Sequence, residues 1–235
     1  MATDATPDES VDPVDPVESV ELVLVRHGQS VWNAVRRWQG TADPPLTDLG
    51  REQARAQADW LAGLDETWAG VWTSPLRRAA TTAEIIATRL GLPAPIVDQR
   101  LEEAYAGDWE GMTPAEIEHD WPGYLTRNAR PPSFEPDPIV RERAWSSLSD
   151  VVRAAAGRGS ALVVTHSGLM RRVSGARVRR GRRAEPGRLP PRGRTGHEPP
   201  SSPRSGVRAD DRHATAPERR RASTDADAPL VSCVR

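Results

Sequence analysis

The chain has 235 residues, with 32 basic and 33 acidic side chains and a net charge of −1, enough for one domain with tails. No stretch approaches the ~20 consecutive apolar residues of a membrane span, and the start Met1-Ala2-Thr3-Asp4 lacks a basic, then apolar, signal-peptide pattern, so a cytoplasmic protein with no membrane partner is expected. The one cysteine, Cys233, excludes an internal disulfide, and no Cys/His cluster has zinc spacing, so stability must come from packing.

The near-zero charge is a sum over unlike parts. Residues 1–20 hold six acids and no base and repeat Asp-Pro-Val; with little to bury, they read as a disordered acidic leader. All eight Trp, both Tyr and the single Phe lie between Trp32 and Trp145, so only the middle of the chain has the large apolar side chains of a core.

That middle alternates strand and helix patterns. Residues 20–26 form a β-branched and Leu run that reads as a buried strand. Thr47 can cap a helix reaching about Leu64, with Ala54, Ala58 and Leu61 on one face. Val71-Trp72-Thr73 reads as the second strand. Ser74-Pro75 then predicts a cap and first-turn proline for a helix ending at Leu90 before Gly91. Ile96-Val97 is a third strand, and Thr113-Pro114-Ala115-Glu116 is a capping box opening a short helix. A longer helix spans about Asp137–Ala156 and stops at Gly157, and Ala161–Thr165 is the fourth strand. The expected fold is α/β, a mostly parallel sheet flanked by helices on both faces, in which ligands bind beyond the carboxyl ends of the strands.

The first strand ends in Arg26-His27-Gly28-Gln29-Ser30 and the fourth in Thr165-His166-Ser167-Gly168. Two of five histidines thus stand at matching strand ends, each close to a glycine and one beside an arginine. Of the others, His119 sits on a polar helix and His197 and His213 lie in the tail, and these three read as surface residues.

Over residues 21–173 the sequence resembles the histidine phosphatase superfamily, which contains the phosphoglycerate mutases and many small phosphatases. The resemblance rests on Arg26–Ser30 followed by Asn33, on Gly40–Gly50, and on Ser74-Pro75-Leu76-Arg77-Arg78-Ala79 with Thr81-Thr82-Ala83. It continues through Leu101-Glu102-Glu103 leading to Gly107-Asp108-Trp109-Glu110-Gly111, and through Thr165–Gly168, in the family's order. It implies a phosphoglycerate mutase-like fold and a phosphohistidine formed on His27. Arg26 and Arg78 are then the phosphate clamps, with Arg77 a solvated neighbour because successive helical residues point about 100° apart. His166 is the second histidine, donating to the phosphoryl oxygens. Glu103 is the acid for the leaving group, with Glu102 and Glu110 as nearby alternatives. Ser30, Asn33, Gln39 and Gly40 match positions lining the phosphate or substrate pocket. No cofactor and no metal are expected, since two arginines and two histidines supply the positive field. Trp109, Trp121 and Trp145 are read as core or as caps of the site rather than as stacking platforms.

Mutases of the family carry extra basic residues between the acid loop and the second histidine. Here Glu103 to His166 holds only Arg127, Arg130, Arg141, Arg143, Arg153 and Arg158. We therefore favour a phosphatase acting on a small phosphorylated metabolite. The alternatives are mutase-type transfer and an impaired phospho-ligand binder. Where many relatives have Gly-Glu-Ser, the chain has Phe134-Glu135-Pro136, which puts a substrate-facing role for Glu135 in doubt.

The resemblance stops near Val173, where the family would add a strand and a helix, so the C-terminal part of the sheet is expected to be missing. Residues 174–235 hold fifteen Arg against seven acids, contain no aromatic residue and have no apolar period, and read as a disordered tail. Without interleaved aromatics nucleic acid is not an expected partner. Its composition is that of GC-rich DNA read in an unintended frame, which points to a reading-frame change near codon 173. Translating the other two frames tests this: an apolar strand and helix pattern is expected in one, and its absence from both refutes the idea.

Overall fold

The computed structural model describes residues 20–173 together with the backbone of residues 178–180 and 231–234. In chain order the elements are β1 (Leu22–Arg26), α1 (Val31–Ala34), α2 (Asp48–Ala62), β2 (Trp68–Thr73), α3 (Arg77–Leu90), β3 (Ile96–Val97), α4 (Pro114–Asp120), α5 (Asp137–Ala155), β4 (Ser160–Thr165), α6 (Ser167–Val173), β5 (Val178–Arg180) and β6 (Val231–Val234). Single 3-10 turns at Gln99–Leu101 and Gly107–Trp109 stiffen the long connection before α4.

The strand order is β3-β2-β4-β1-β6-β5, and β3, β2, β4 and β1 are mutually parallel. Alternation along β1 sorts its side chains to the two faces. Leu22 and Leu24 join Ala144, Leu148 and Val151 of α5 and Leu169 of α6, whereas Val23 and Val25 join Ala58 and Leu61 of α2 and Ala83 and Ile86 of α3. Helices therefore cover both faces, as the apolar periods predict, and each fully buried Leu or Ile contributes roughly 1.5–3 kcal/mol of transfer free energy. A third cluster, around Trp109 and Ile117, packs below the long connection and is not foreshadowed by any periodic signal. Among the described residues no helix is long and apolar enough to cross a membrane.

Several boundaries differ from the sequence reading. The strand β2 begins at Trp68, three residues early, because pairing with Ser160–Ala161 recruits a stretch whose Ala69-Gly70 masks its strand character. The helix α3 begins at Arg77, with Leu76 still extended, and Ser74 does not act as its cap. The Arg77 N–H is met instead by Asp43 Oδ1 at 2.6 Å, an acceptor arriving from a remote loop. Thr47, the capping box at Thr113 and the left-handed Gly91 at φ 66° all perform as their residue types predict.

The tail requires a correction. Two of its stretches, β5 and β6, are strands, and β6 pairs antiparallel with β1 from Leu22↔Val234 to Val25↔Val231. The C-terminal part of the sheet, expected to be missing, is thus supplied in part by these two strands. A strand as buried as β1 needs partners for its outward N–H and C=O groups, and the short run Val231-Ser232-Cys233-Val234 has the residue types to supply them. The rest of the tail expectation, the leader, and His197 and His213 lie outside the described residues.

Candidate active site

The parallel register Arg26↔Thr165 brings the residues after β1 and β4 side by side, and the ladder continues one step through the His27 N–H to the Thr165 carbonyl at 3.1 Å. The His27 and His166 rings consequently lie 5.1 Å apart between centroids, tilted by 59°. The turn after β1 is pressed against the start of α2: a Cβ on Gly28 would sit 2.1 Å from the Gly50 carbonyl oxygen, so this close approach demands glycine.

His27 Nδ1 is 2.6 Å from the Gly28 carbonyl oxygen. A carbonyl only accepts, so Nδ1 carries the proton and Nε2 keeps its lone pair. Burial, then Arg78 and Arg26, lowers the His27 pKa to about 3, so the ring is neutral at pH 7. His166 is fully buried, and burial together with Arg78 and His27 lowers its pKa well below the usual value. Its Nε2 is 2.8 Å from Ser74 Oγ, which also accepts the Leu76 N–H at 3.3 Å. With Ser74 Oγ as the donor to His166 Nε2, the ring proton sits on Nδ1, a buried atom with no hydrogen-bond partner among the described residues. One histidine thus offers a lone pair and the other an N–H.

Arg78 is 1 % exposed, and its NH1 and NH2 donate to the carbonyls of Ala42 at 2.7 Å and Gly40 at 2.9 Å. Burial lowers its pKa to about 10, against the pull of Glu103 and Asp43, so it stays charged at pH 7. The loop that holds it is itself tied by Glu110, whose Oε1 accepts from the N–H groups of Thr41 and Ala42. Arg77 is exposed, as the helical offset predicts. Glu103 reaches across to the start of α6, its Oε2 accepting the Gly168 N–H at 2.8 Å and its Oε1 the Ala104 N–H at 3.0 Å. The backbone of this acid loop is gripped by Arg143 of α5. That side chain donates to the carbonyls of Arg100, Glu102 and Glu103 and forms a two-pronged bond to Glu135, so all five of its N–H groups are used. Burial alone would raise the Glu135 pKa, but the Arg143 bonds outweigh it and hold the carboxyl below its usual range.

A cavity of about 300 Å³ opens onto these groups, and Arg26, His27, Asn33, Gln39, Gly40, Arg78 and Glu103 line it. His166, fully buried, stands behind His27. Three sequence readings are revised, those of Ser30, Glu102 and Glu110. Ser30 does not line the cavity; it is buried as the cap of α1, its Oγ accepting the Asn33 N–H at 3.1 Å and lying 2.6 Å from Gln39 Oε1, so it orders two lining residues. Glu102 stays outside the cavity, its carboxyl pKa raised by burial despite the opposing pull of Arg143. Glu110 holds the Arg78 loop, and Glu135 is spent on Arg143. Trp109 is fully buried, edge-on to Trp38 at 4.9 Å, and Trp145 packs on the core, so the ordinary reading of the tryptophans holds for both.

The lining also contains residues the sequence reading passed over: Arg36, Arg37, Arg130, Arg171 and Arg172, with Trp38 and Phe134. With Arg26 and Arg78 that makes seven arginines against the single carboxylate of Glu103. Arg171 and Arg172 follow Ser167 and Gly168 by one helical turn, which puts them on the site-facing stripe of α6, a signal available from spacing alone. His119 is exposed. Among the described residues no group of three or more His, Cys, Asp or Glu side chains is arranged to hold a metal ion.

Three similarities bear on this arrangement. Over 166 residues the chain is 37 % identical to the glucosyl-3-phosphoglycerate phosphatase of Mycolicibacterium vanbaalenii, covering 66 % of this chain and 72 % of that one. Over 102 residues it is 44 % identical to the Mycobacterium tuberculosis protein of the same name, spanning 43 % of this chain and less than half, 44 %, of the relative. The solved structure of a mycobacterial glucosyl-3-phosphoglycerate phosphatase complexed with VO3 superposes with a TM-score of 0.60 at 34 % identity, over 66 % of this chain and 79 % of that one. The family model itself matches residues 22–183, ten residues beyond Val173, and with the paired histidines at adjacent strand ends it establishes that this chain belongs to branch 1 of the histidine phosphatase superfamily.

Proposed function

We propose that the protein is a metal-independent phosphatase that hydrolyses a small phosphomonoester through a phosphohistidine on His27. The observation that carries this is the Nδ1–H bond from His27 to the Gly28 carbonyl, which leaves an unprotonated Nε2 in an arginine-lined cavity. In the first step Nε2 attacks phosphorus, the P–O ester bond breaks, and Glu103 gives its proton to the departing alkoxide. Arg26 and Arg78 hold the non-bridging oxygens, where the transferring group spreads its charge, and the Nδ1–H of His166, buried behind His27 in the free protein, reaches them once the phosphoryl group moves onto Nε2. In the second step water attacks phosphorus, the P–N bond breaks, and the Glu103 carboxylate takes up a proton from that water. Asn33, Gln39 and Gly40 complete the phosphate-facing wall.

The catalytic body in this reading is residues 21–173, with the leader outside it, and its setting is the cytoplasm, where small phosphorylated metabolites occur. The test is rapid-quench turnover of p-nitrophenyl phosphate by the full chain. A burst of nitrophenol with an acid-labile phosphohistidine is expected, and both are lost in His27→Ala; unchanged turnover in that variant refutes the reading. Release of phosphate into water, rather than its appearance on a second hydroxyl, separates hydrolysis from mutase-type transfer.

A further inference from the structure

Three consecutive peptide units, from Arg26 to Gln29, carry the nucleophile, and each meets a side chain from α2 or α3. The Arg26 carbonyl accepts from Gln57 Nε2 at 3.3 Å, the Gly28 N–H donates to Thr82 Oγ1 at 3.2 Å, and the Gln29 N–H donates to Gln53 Oε1 at 2.8 Å. Thr82 Oγ1 in turn donates to the Arg78 carbonyl at 2.7 Å. Gln57 and Thr82 are buried and Gln53 is half-buried, on helix faces where a polar group is costly unless it is bonded. Gln53 and Gln57 stand one turn apart on α2, so a single helix face reaches the turn at two points.

The bond to Gln53 differs from the other two. The N–H of Gln29 and the carbonyl of Gly28 belong to one planar peptide, and that carbonyl is the one 2.6 Å from His27 Nδ1. In a trans amide the N–H and C=O point in opposite directions, so holding the first aims the second. Donation through the N–H also polarises the amide and makes its carbonyl a stronger acceptor. Gly28 has no side chain to restrict this plane, so its orientation depends on what the peptide bonds to. A continuous chain therefore runs from Gln53 Oε1 through the peptide to the His27 ring.

We infer that Gln53 is a positioning residue for the nucleophile: through the Gly28–Gln29 peptide it keeps the His27 proton on Nδ1 and the lone pair on Nε2. This rests on the phosphatase reading in taking His27 as the nucleophile. Gln53 does not line the cavity, so it acts on the ring and not on the substrate.

The test is nitrogen NMR of the full chain carrying isotopically labelled histidine at pH 7, where the His27 ring is neutral. Its signals are assigned by their loss in His27→Asn, and kcat and KM for p-nitrophenyl phosphate are measured beside them. Wild type is expected to show a single tautomer, protonated on Nδ1. Gln53→Met keeps side-chain length and helix propensity but removes the acceptor. It should move His27 to an average of both tautomers and lower kcat about tenfold, the worth of one hydrogen bond, with KM within about twofold. Gln53→Glu restores an acceptor oxygen and should return the tautomer to Nδ1 and kcat to within about threefold of wild type. Ala56→Gly, at an exposed position of the same helix, weakens α2 through helix propensity alone; it should lower the denaturation midpoint and leave the tautomer in place. A tautomer unchanged in Gln53→Met, a Gln53→Glu chain that behaves like Gln53→Met, or an equal tautomer shift in Ala56→Gly would overturn the inference. The two readings fail separately, because the tautomer is read without turnover. A Gln53-dependent tautomer in a chain that hydrolyses no ester sinks the phosphatase reading alone, and hydrolysis with a tautomer indifferent to Gln53 sinks this inference alone.

Discussion

Gly168→Ala separates chemistry from folding at this site. A Cβ built on Gly168 lies 2.3 Å from Glu103 Oε1 and 2.7 Å from its Cδ, where ordinary contact starts at 3.4 Å. The obstacle is the far end of a flexible side chain, so Glu103 swings away by about 1 Å while the backbone stays in place. The fold gains a few tenths to about 1 kcal/mol of helix propensity and loses the 2.8 Å bond from the Gly168 N–H, worth about 1 kcal/mol, so stability should change by less than about 1 kcal/mol. Catalysis should suffer far more. A misplaced acid costs about 10²-fold, or ~2.7 kcal/mol of barrier, for an alkyl phosphate whose alkoxide needs a proton. For p-nitrophenyl phosphate, whose leaving group needs none, the loss should be no more than a few-fold. The assay is kcat for both esters beside urea denaturation of both proteins. Glu103→Gln should show the same split between esters, and the double variant should be no worse than either single one, because both remove the same proton donor. Equal losses on the two esters, or an unchanged kcat on the alkyl ester, would refute the placement of Glu103 as the acid.

Three further outcomes follow from the geometry. Ser74→Ala frees the tautomer of His166 and should lower kcat by roughly tenfold with little change in KM, whereas Ser74→Thr, which keeps the hydroxyl, should recover most of it; an unchanged kcat in Ser74→Ala contradicts the tautomer assignment. Arg143→Lys keeps the charge but not the fork that binds three carbonyls and Glu135, and should cost about 2–4 kcal/mol of stability and loosen the acid loop, read as a larger kcat loss on alkyl than on p-nitrophenyl esters; wild-type denaturation and kinetics would show that the loop is held by other means. Acid should also weaken the fold. His27 takes up its proton near pH 6.5 when unfolded but only near pH 3 when folded, so its neutral form favours folding fully above pH 6.5 and that contribution is lost as pH falls toward 3. Between pH 7.5 and 5 this amounts to about 2 kcal/mol from His27, with His166 acting in the same direction. Denaturation of wild type and His27→Asn at both pH values should give a difference that shrinks by about 2 kcal/mol on the acid side, and a constant difference would refute it.

Much of this was readable from residue order because it depends on local pattern. The apolar runs at β1 and β4, the caps at Thr47 and Thr113, and the stop at Gly91 are decided within a few residues of themselves. The pairing of His27 with His166 was readable too, since each directly follows a strand of the same parallel sheet. What stayed hidden depends on segments meeting in space. Asp43 caps α3 across the loop and frees Ser74 for His166; Arg143 grips an acid loop forty residues away; Glu135 is claimed by Arg143 before any substrate can use it. A count of basic residues between Glu103 and His166 missed the cavity's charge for the same reason, because Arg36 and Arg37 come from before that interval and Arg171 and Arg172 from after it.

The 5.1 Å between the two imidazoles is close to the ~4.8 Å spacing of neighbouring strands, and the resemblance has a mechanical meaning. The distance between nucleophile and helper is set by the hydrogen-bond ladder of the sheet and hardly at all by rotamers. The segments that carry Arg36, Arg130 and Arg171 lie outside that ladder. They can be rebuilt for a different ligand without detuning the phosphoryl-transfer pair, whereas any force or solvent that pries β1 from β4 should silence the pair before the rest of the molecule unfolds.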